Sequence, residues 1–180
     1  MKVYTIGHSN HSKETFLEML KKVSITYVID VRSMPGSRKF PQFDQDRMPV
    51  WLAENDIEYH HFPKLGGRRN KSKDIADNLN AGWNNQSFHN YADYTLSHSF
   101  QEGIKKLTTY ATKDNTAYFC AESHPSKCHR LIISNWLAAN GWEVEHLIKQ
   151  QEEIEMIPHE LGRWGAMPII EEDKTVVYPE

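Results

Sequence analysis

The stretch that decides the fold is Thr116-Ala-Tyr-Phe-Cys120-Ala-Glu-Ser-His-Pro-Ser-Lys-Cys128-His-Arg130, which leads into an amphipathic run over residues 131–139. An apolar run that ends in a polar loop and is followed by an amphipathic segment is typical of a strand followed by a helix. This arrangement would gather Glu122, Cys128, Arg130 and two histidines around one helix N-terminus, a natural place for chemistry or anion binding.

Apolar strand-like runs alternate with helical patterns along the rest of the chain. The predicted strands cover residues 3–6, 26–31, 57–62, 117–120 and 143–148. The predicted helices cover residues 13–23 with Ser12 as N-cap, 46–55, 91–110 and the segment that follows Pro125. This alternation favours an α/β fold, a three-layer sandwich with a mostly parallel sheet of about five strands flanked by helices.

The length of 180 residues fits one domain, which we expect to span residues 1–150. A polar, Asn-rich insertion at about residues 70–89 is expected to be its most mobile internal segment. Residues 151–180 are acidic and then contain Gly and Pro. They are predicted to form a C-terminal extension that packs on the domain or trails from it.

The composition, with 39% hydrophobic and 25% charged residues, is typical of a soluble protein. A net charge of −3 argues against a generally basic nucleic-acid binder but leaves a local basic patch possible. No apolar run approaches the ~20 residues of a membrane span, so no membrane partner is expected. Two cysteines without an export signal predict reduced thiols in the cytoplasm. Cofactors and oligomeric state stay open.

Four polar clusters directly follow the predicted strands. They are His8-Ser9, Arg32-Ser33, Gly66-Gly67-Arg68 and the segment from Cys120 to Arg130. The ligand crevice of an open parallel sheet lies at the carboxyl ends of its strands. The four clusters are therefore predicted to share one edge of the sheet and to form a polar cleft there.

The same clusters carry a family resemblance. The matching motifs are Thr5-Ile-Gly-His-Ser9, Asp30-Val-Arg-Ser33, Pro41-Gln-Phe43, Leu65-Gly-Gly-Arg68, Tyr91-Ala-Asp-Tyr94, and Cys120-Ala-Glu122 with Cys128-His-Arg130. In this order they resemble the bacterial "domain of unknown function 488" family over roughly residues 3–148. Because that family has no established biochemical role, the resemblance supports the fold and the site location and adds little about the reaction.

The arginines of these clusters suggest anion binding, since the planar guanidinium fork suits phosphate and adjacent glycines allow close backbone approach. The ligand-binding candidates are Ser9, Arg32, Ser33, Arg38, Gly66, Gly67, Arg68, Tyr91, Tyr94, His129 and Arg130. Two alternatives stay open. The arginines could pair internally with Asp30 or Glu122, and the two tyrosines could pack the insertion onto the domain instead of stacking on a base or sugar.

The catalytic candidates are Glu122 and His8 as acid–base groups and Cys128 as a nucleophile. A helix N-terminus beside basic residues would lower the pKa of the Cys128 thiol. Against this, its spacing from Ile132 and Trp136 predicts that Cys128 continues an apolar helical face. Cys120 closes a buried strand and is expected to pack in the core.

Metal binding and sulfur transfer are disfavoured. Cys128 and His129 are neighbours that point about 100° apart on a helix and cannot easily share an ion, so no metal ligands are assigned. The Cys-to-Arg spacing also does not match the short nucleophile loop of rhodanese-like sulfurtransferases.

Two functional hypotheses follow from the sequence. The first is an enzyme that acts on a phosphate-containing substrate, either a nucleotide or nucleic acid. The second is a non-catalytic module that binds nucleotide or nucleic acid. Thiol or metal chemistry at Cys120 and Cys128 is a lower-ranked alternative.

Overall fold

The computed structural model describes residues 1–36 and 38–180. Its central sheet has six strands: β1 (Lys2–Gly7), β2 (Tyr27–Asp30), β3 (Glu58–His61), β4 (Thr116–Cys120), β5 (Glu143–Gln150) and β6 (Glu153–Pro158). They are ordered β3-β2-β4-β1-β5-β6. The first five run parallel and β6 pairs antiparallel with β5. This confirms the mostly parallel α/β sheet and adds one strand that the sequence did not indicate.

Helices cover both faces of the sheet. They are α1 (Lys13–Lys22), α2 (Met48–Ala53), α3 (Gln86–Tyr94), α4 (His98–Lys113) and α5 (Arg130–Ala139). The core residues of α1 and α2 form one apolar cluster, and those of α3, α4 and α5 form another. A separate small sheet pairs β7 (Ile169–Ile170) with β8 (Val176–Val177). The three-layer sandwich is therefore confirmed.

Helix α1 illustrates how the sequence produces these elements. The hydroxyl of Ser12 accepts a hydrogen bond from the backbone N–H of Thr15 at 3.1 Å, which confirms the N-cap. Phe16, Met19 and Leu20 lie on one face and are buried. Each such side chain contributes about 2 kcal/mol by leaving water.

The predicted single helix over 91–110 is wrong, because the structure has two helices there. Helix α3 ends at Tyr94, and α4 begins after Ser97, whose hydroxyl accepts a hydrogen bond from the N–H of Phe100. A serine that caps a new helix offers the backbone an alternative to continuing the previous one. Helix α3 also begins at Gln86, inside the stretch interpreted as an insertion. The second predicted helix is shorter than 46–55, at Met48–Ala53.

Residues beyond Gln150 contact the rest of the protein at several places, two of which position α3 and the edge of the sheet. Strand β6 extends the sheet, and the buried Tyr178 lies against the loop before α3. The Tyr178 N–H donates to the side-chain oxygen of Asn80, whose amide donates to Asp93 at 2.7 Å. No helix in the described part of the chain is long and apolar enough to cross a membrane.

Candidate functional site

A pocket of about 290 Å³ opens at the carboxyl edge of the sheet. Loops that follow β2, β3 and β4 supply most of its wall, and α3 closes one side. The lining residues are Arg32, Ser33, Met34, Gly67, Arg68, Ser87, Phe88, Cys120, Ala121, Glu122, Lys127, Cys128 and His129. Parallel strands thus bring together clusters that are far apart in sequence.

The candidate residues divide into two groups. Those that line the pocket are Arg32, Ser33, Gly67, Arg68, Glu122, Cys128 and His129. The remaining candidates lie outside its lining: His8, Ser9, Arg38, Gly66, Tyr91, Tyr94 and Arg130. Cys120 and Lys127 line the pocket but were not among the site candidates. The strand-end position of Cys120 was the available signal for it, since it shares the edge of the sheet with Cys128.

The two cysteines face each other in the pocket wall. Their Sγ atoms lie 2.8 Å apart, and both are free thiols. Cys120 is only 3% exposed, whereas Cys128 is partly exposed. Cys120 Sγ also accepts hydrogen bonds from the backbone N–H of Glu122 at 3.3 Å and from Nε of Arg130 at 3.1 Å. Several donors therefore converge on one sulfur atom.

The sequence predicts that Cys128 lies in the first turn of the helix that follows Pro125, but the structure places it before the helix. It follows a short 3-10 turn, Pro125–Lys127, and has extended backbone angles of φ −151° and ψ 175°. The side chain of His124 accepts a hydrogen bond from Ser126 N–H, which stabilises that turn. Helix α5 starts only at Arg130, and the N–H of Arg130 donates to Cys128 Sγ at 3.4 Å. The delayed helix start turns Cys128 toward Cys120.

Arg130 is fully buried beneath the two cysteines. Its Nη1 donates to Thr5 Oγ1 at 2.7 Å, and its Nη2 donates to the carbonyl oxygens of Glu122 and Ser123 at 2.5 and 3.2 Å. Gly7 allows this approach, because a Cβ there would overlap the Glu122 carbonyl. Arg130 contacts the Glu122 backbone, and its guanidinium serves the protein interior rather than an anion in the pocket.

The hydrogen bond between the two sulfur atoms makes the thiols differ in acidity. Burial by itself raises the pKa of Cys120, but the hydrogen bond from Cys128 and the charge of Arg130 outweigh it and lower that pKa to about 6. Burial and the adjacent Cys120 sulfur raise the pKa of Cys128 well above its usual value. The lowered pKa of Cys120 and the raised pKa of Cys128 favour a single negative charge on the pair, carried by the Cys120 sulfur.

Arg32 forms a buried ion pair next to the pocket. Its Nε and Nη2 donate to the two carboxylate oxygens of Asp30 at 2.9 and 2.7 Å, and Nη2 also donates to the Phe43 carbonyl. The hydroxyl of Tyr59 donates to the same carboxylate. The internal pairing considered for the arginines is therefore the arrangement that Arg32 adopts.

His8 belongs to this buried group. Its ring stacks on Phe43 with centroids 4.5 Å apart, Nδ1 donates to the Ser9 carbonyl at 2.8 Å, and Nε2 accepts from Arg32 at 3.3 Å. Burial lowers its pKa to about 4, so the ring is neutral at physiological pH. Ser9 itself is a turn residue with φ 47°, and its N–H donates to the carbonyl of Ala121.

His129 forms part of the pocket wall as a neutral ring. Its Nε2 donates to the Val31 carbonyl at 2.7 Å, and burial lowers its pKa to about 4. A Cβ at Gly67 would meet Nδ1 of this ring at 2.5 Å, so only glycine lets the loop that follows β3 pack against His129. Through its contacts with Val31 and Gly67, His129 connects the loops that follow β2 and β3 to the segment that carries the cysteines.

The tyrosines of α3 form hydrogen bonds with the backbone of the loop that follows β3. The Tyr91 hydroxyl donates to the Leu65 carbonyl at 2.8 Å, and the Tyr94 hydroxyl donates to the Lys64 carbonyl at 2.6 Å. The guanidinium of Arg69 lies 3.8 Å from the Tyr94 ring centroid. Both tyrosines therefore have packing roles, in agreement with the second alternative considered for them.

The remaining polar groups of the pocket are open to solvent. Arg68, Lys127 and Glu122 are exposed, and neither cation forms an ion pair with a residue that the structure describes. The Ser33 hydroxyl accepts from the Arg68 N–H at 2.9 Å and packs against Gly66. Arg38 is exposed and lies outside the lining. Across residues 1–36 and 38–180, no cluster of three or more His, Cys, Asp or Glu side chains is arranged to hold a metal.

The fold and site define an α/β sandwich protein with a two-cysteine pocket at the carboxyl edge of its parallel sheet. The chain belongs to the family described as "Domain of unknown function DUF488", whose model matches residues 12–137. This match confirms the resemblance carried by the strand-end motifs. Neither a curated protein nor a solved structure matches the chain.

Proposed function

We propose that the protein is an enzyme of thiol chemistry, with Cys120 and Cys128 as its reacting groups. The supporting observation is the 2.8 Å separation of their sulfur atoms in a pocket wall, with the buried Arg130 donating to Cys120. A thiolate is the nucleophilic form of cysteine, and exchange is fastest when the attacking thiol has a pKa near the ambient pH. Cys120 meets both conditions.

The reaction that fits the pair is two-electron exchange with a small disulfide. The Cys120 thiolate attacks one substrate sulfur, the substrate S–S bond breaks, and the second half leaves as a thiolate that takes up a proton. Cys128 then loses its proton and attacks the Cys120 sulfur, which releases the first half as a second thiol. The protein dithiol is oxidised to a disulfide and the substrate is reduced to two thiols.

The size of the site limits the substrate. Cys120 is 3% exposed and lines a pocket of about 290 Å³, at the lower limit of small-molecule sites. We therefore expect the partner to be a small molecule or a narrow extended segment. The exposed cations Arg68 and Lys127 at the wall would favour an anionic substrate.

Trapping variants test this proposal. The chain has two cysteines, so every thiol adduct belongs to one of them. Cys128→Ser should accumulate a mixed disulfide at Cys120 with a small anionic disulfide, because the second attack is lost. Cys120→Ser should react far more slowly at neutral pH. Ser87→Ala, elsewhere in the pocket, serves as the control. Equal reaction of both cysteine variants would refute the assignment.

A phosphate-bearing substrate, whether nucleotide or nucleic acid, is the second candidate. It is favoured by Arg68 and Lys127, which face the pocket without a described carboxylate partner, and by the nearby Ser33 hydroxyl. Binding without catalysis would need these groups alone. Calorimetric titration with inorganic phosphate and with mononucleotides tests this candidate. Loss of binding in Arg68→Ala together with Lys127→Ala supports it, and unchanged affinity in both refutes it.

A further inference from the structure

A buried series of polar side chains continues from Arg130 into the protein. Thr5 Oγ1, which accepts from Arg130, lies 2.9 Å from Nδ1 of His146. Nε2 of His146 lies 2.9 Å from Nδ1 of His159, and Nε2 of His159 lies 2.8 Å from Oδ1 of Asn135. We call this the histidine network; its members are Thr5, His146, His159 and Asn135.

The hydrogen bonds of the histidine network have one consistent direction. Asn135 Oδ1 is an acceptor, since it also receives the N–H of Gly162. His159 must then donate through Nε2 and accept at Nδ1, and His146 must donate through Nε2 and accept at Nδ1. The remaining donor is the hydroxyl of Thr5. Each group thus donates away from Arg130 and leaves Thr5 Oγ1 free to accept from its guanidinium.

The protonation states agree with this direction. Burial lowers the pKa of His146 to about 2 and that of His159 to about 4, with nearby positive charges from Arg130 and Arg163 contributing. Both rings are therefore neutral, as the series requires. His146 also packs against the Trp164 ring, with centroids 5.5 Å apart. A protonated ring would have two donors and would break the series at Thr5 or at His159.

The histidine network does not carry protons to the cysteines. Arginine stays protonated in proteins, so it interrupts any transfer between Cys120 and Thr5. What the network does supply is a fixed acceptor for one arm of the guanidinium fork. A planar fork that is anchored at Nη1 and Nη2 presents Nε in a defined direction, which here is toward Cys120 Sγ.

We propose that the histidine network is a positioning device that holds the Arg130 guanidinium against Cys120 Sγ. This inference rests on the proposed thiol function, because Cys120 is the group that Arg130 serves. The four members come from β1, β5, the turn after β6, and α5. The network therefore connects β5 and the segment after β6 to the pocket at the carboxyl edge of the sheet.

A matched pair of variants at Thr5 tests the inference. Thr5→Val keeps the shape but removes the acceptor for Arg130, whereas Thr5→Ser keeps the hydroxyl. The measurement is the pH dependence of iodoacetamide alkylation at Cys120, located by peptide mass. A rise of about one unit in the thiol pKa would cut alkylation at pH 6, relative to its high-pH plateau, about fivefold. We expect this loss in Thr5→Val and a profile like that of the native protein in Thr5→Ser.

The outcomes separate the two proposals. A folded Thr5→Val with the native pH profile would overturn the positioning role alone, since a merely structural residue changes stability but not the acidity of Cys120. If Thr5→Val does not fold, His159→Phe at the partly exposed end of the network decides, with a smaller loss in the same direction expected and no change refuting the role. A native protein without an acidic thiol would overturn both proposals.

Discussion

Replacement of Arg130 by methionine is the most informative single perturbation. The guanidinium has no exposure, and its loss leaves Thr5 Oγ1 and the carbonyls of Glu122 and Ser123 without a donor. Each buried polar group left unsatisfied costs about 1–3 kcal/mol. Arg130→Met should therefore lower the free energy of unfolding by several kcal/mol, about 3–5 by analogy with broken buried charge pairs.

The same substitution should remove the acidic thiol. Without the charge and the hydrogen bond of Arg130, the pKa of Cys120 rises toward its usual value of 9.0, while the hydrogen bond from Cys128 still lowers it. At pH 7 a thiol with a pKa of about 6 is about 90% thiolate, whereas one with a pKa of 9 is about 1% thiolate. Alkylation of Cys120 at pH 7 should thus slow by up to about 90-fold, while the rate at high pH stays comparable.

The assay is the second-order rate of iodoacetamide alkylation at pH 7, with Cys120 and Cys128 distinguished by peptide mass. Arg130→Lys is the matched control, because it keeps the positive charge but loses the planar guanidinium fork. Its alkylation rate should lie between those of the native protein and Arg130→Met. Circular dichroism and chemical unfolding establish that each variant is folded. A folded Arg130→Met protein alkylated at the native rate would refute the role assigned to this arginine.

Three further predictions concern stability. Gly7→Ala should cost about 1–3 kcal/mol, because the new methyl overlaps the Glu122 carbonyl, whereas a methyl at Gly36 meets no atom of the described residues within 4 Å and should be neutral; urea unfolding measures both. Asp30→Asn should cost about 3–5 kcal/mol by leaving the buried Arg32 unpaired, while Glu102→Gln in the exposed pair with Lys64 should leave stability nearly unchanged; equal losses would refute the distinction. His8 and His129 are neutral when folded, with each pKa lowered from 6.5 to about 4, so unfolding binds protons below pH 6.5 and stability falls as pH drops. Each ring should lower the free energy of unfolding by about 2 kcal/mol between pH 7.5 and pH 5. Denaturant titrations across this range measure the change, and a free energy of unfolding that stays flat would contradict the burial of these rings in neutral form.

The strand-end clusters were the part of the site that sequence could predict. The pattern of apolar runs implied a parallel sheet, and a parallel sheet places Arg32, Gly67 and Cys128 at one edge whatever their separation in the chain. That edge is where the pocket lies. The location of the site follows from topology, which needs only the order and type of the elements.

The roles within the site depend on packing that sequence does not show. Arg130 follows two polar residues and looked like an anion ligand, yet the 3-10 turn Pro125–Lys127 delays the helix and directs its side chain inward. The histidine network joins residues from four elements, and no local pattern connects His146 with Asn135. Helical spacing suggested that Cys128 faces the core, because the helix was assumed to begin at Pro125.

The central claim is that Cys120 and Cys128 react as one pair in the pocket. Its most direct test is the intact mass of the native protein after brief exposure at pH 7 to a small anionic disulfide in excess. We predict one product that lacks two hydrogen atoms and contains an internal Cys120–Cys128 bond, formed through a transient mixed disulfide. Unmodified protein, or stable adducts on the two cysteines independently, would contradict the claim.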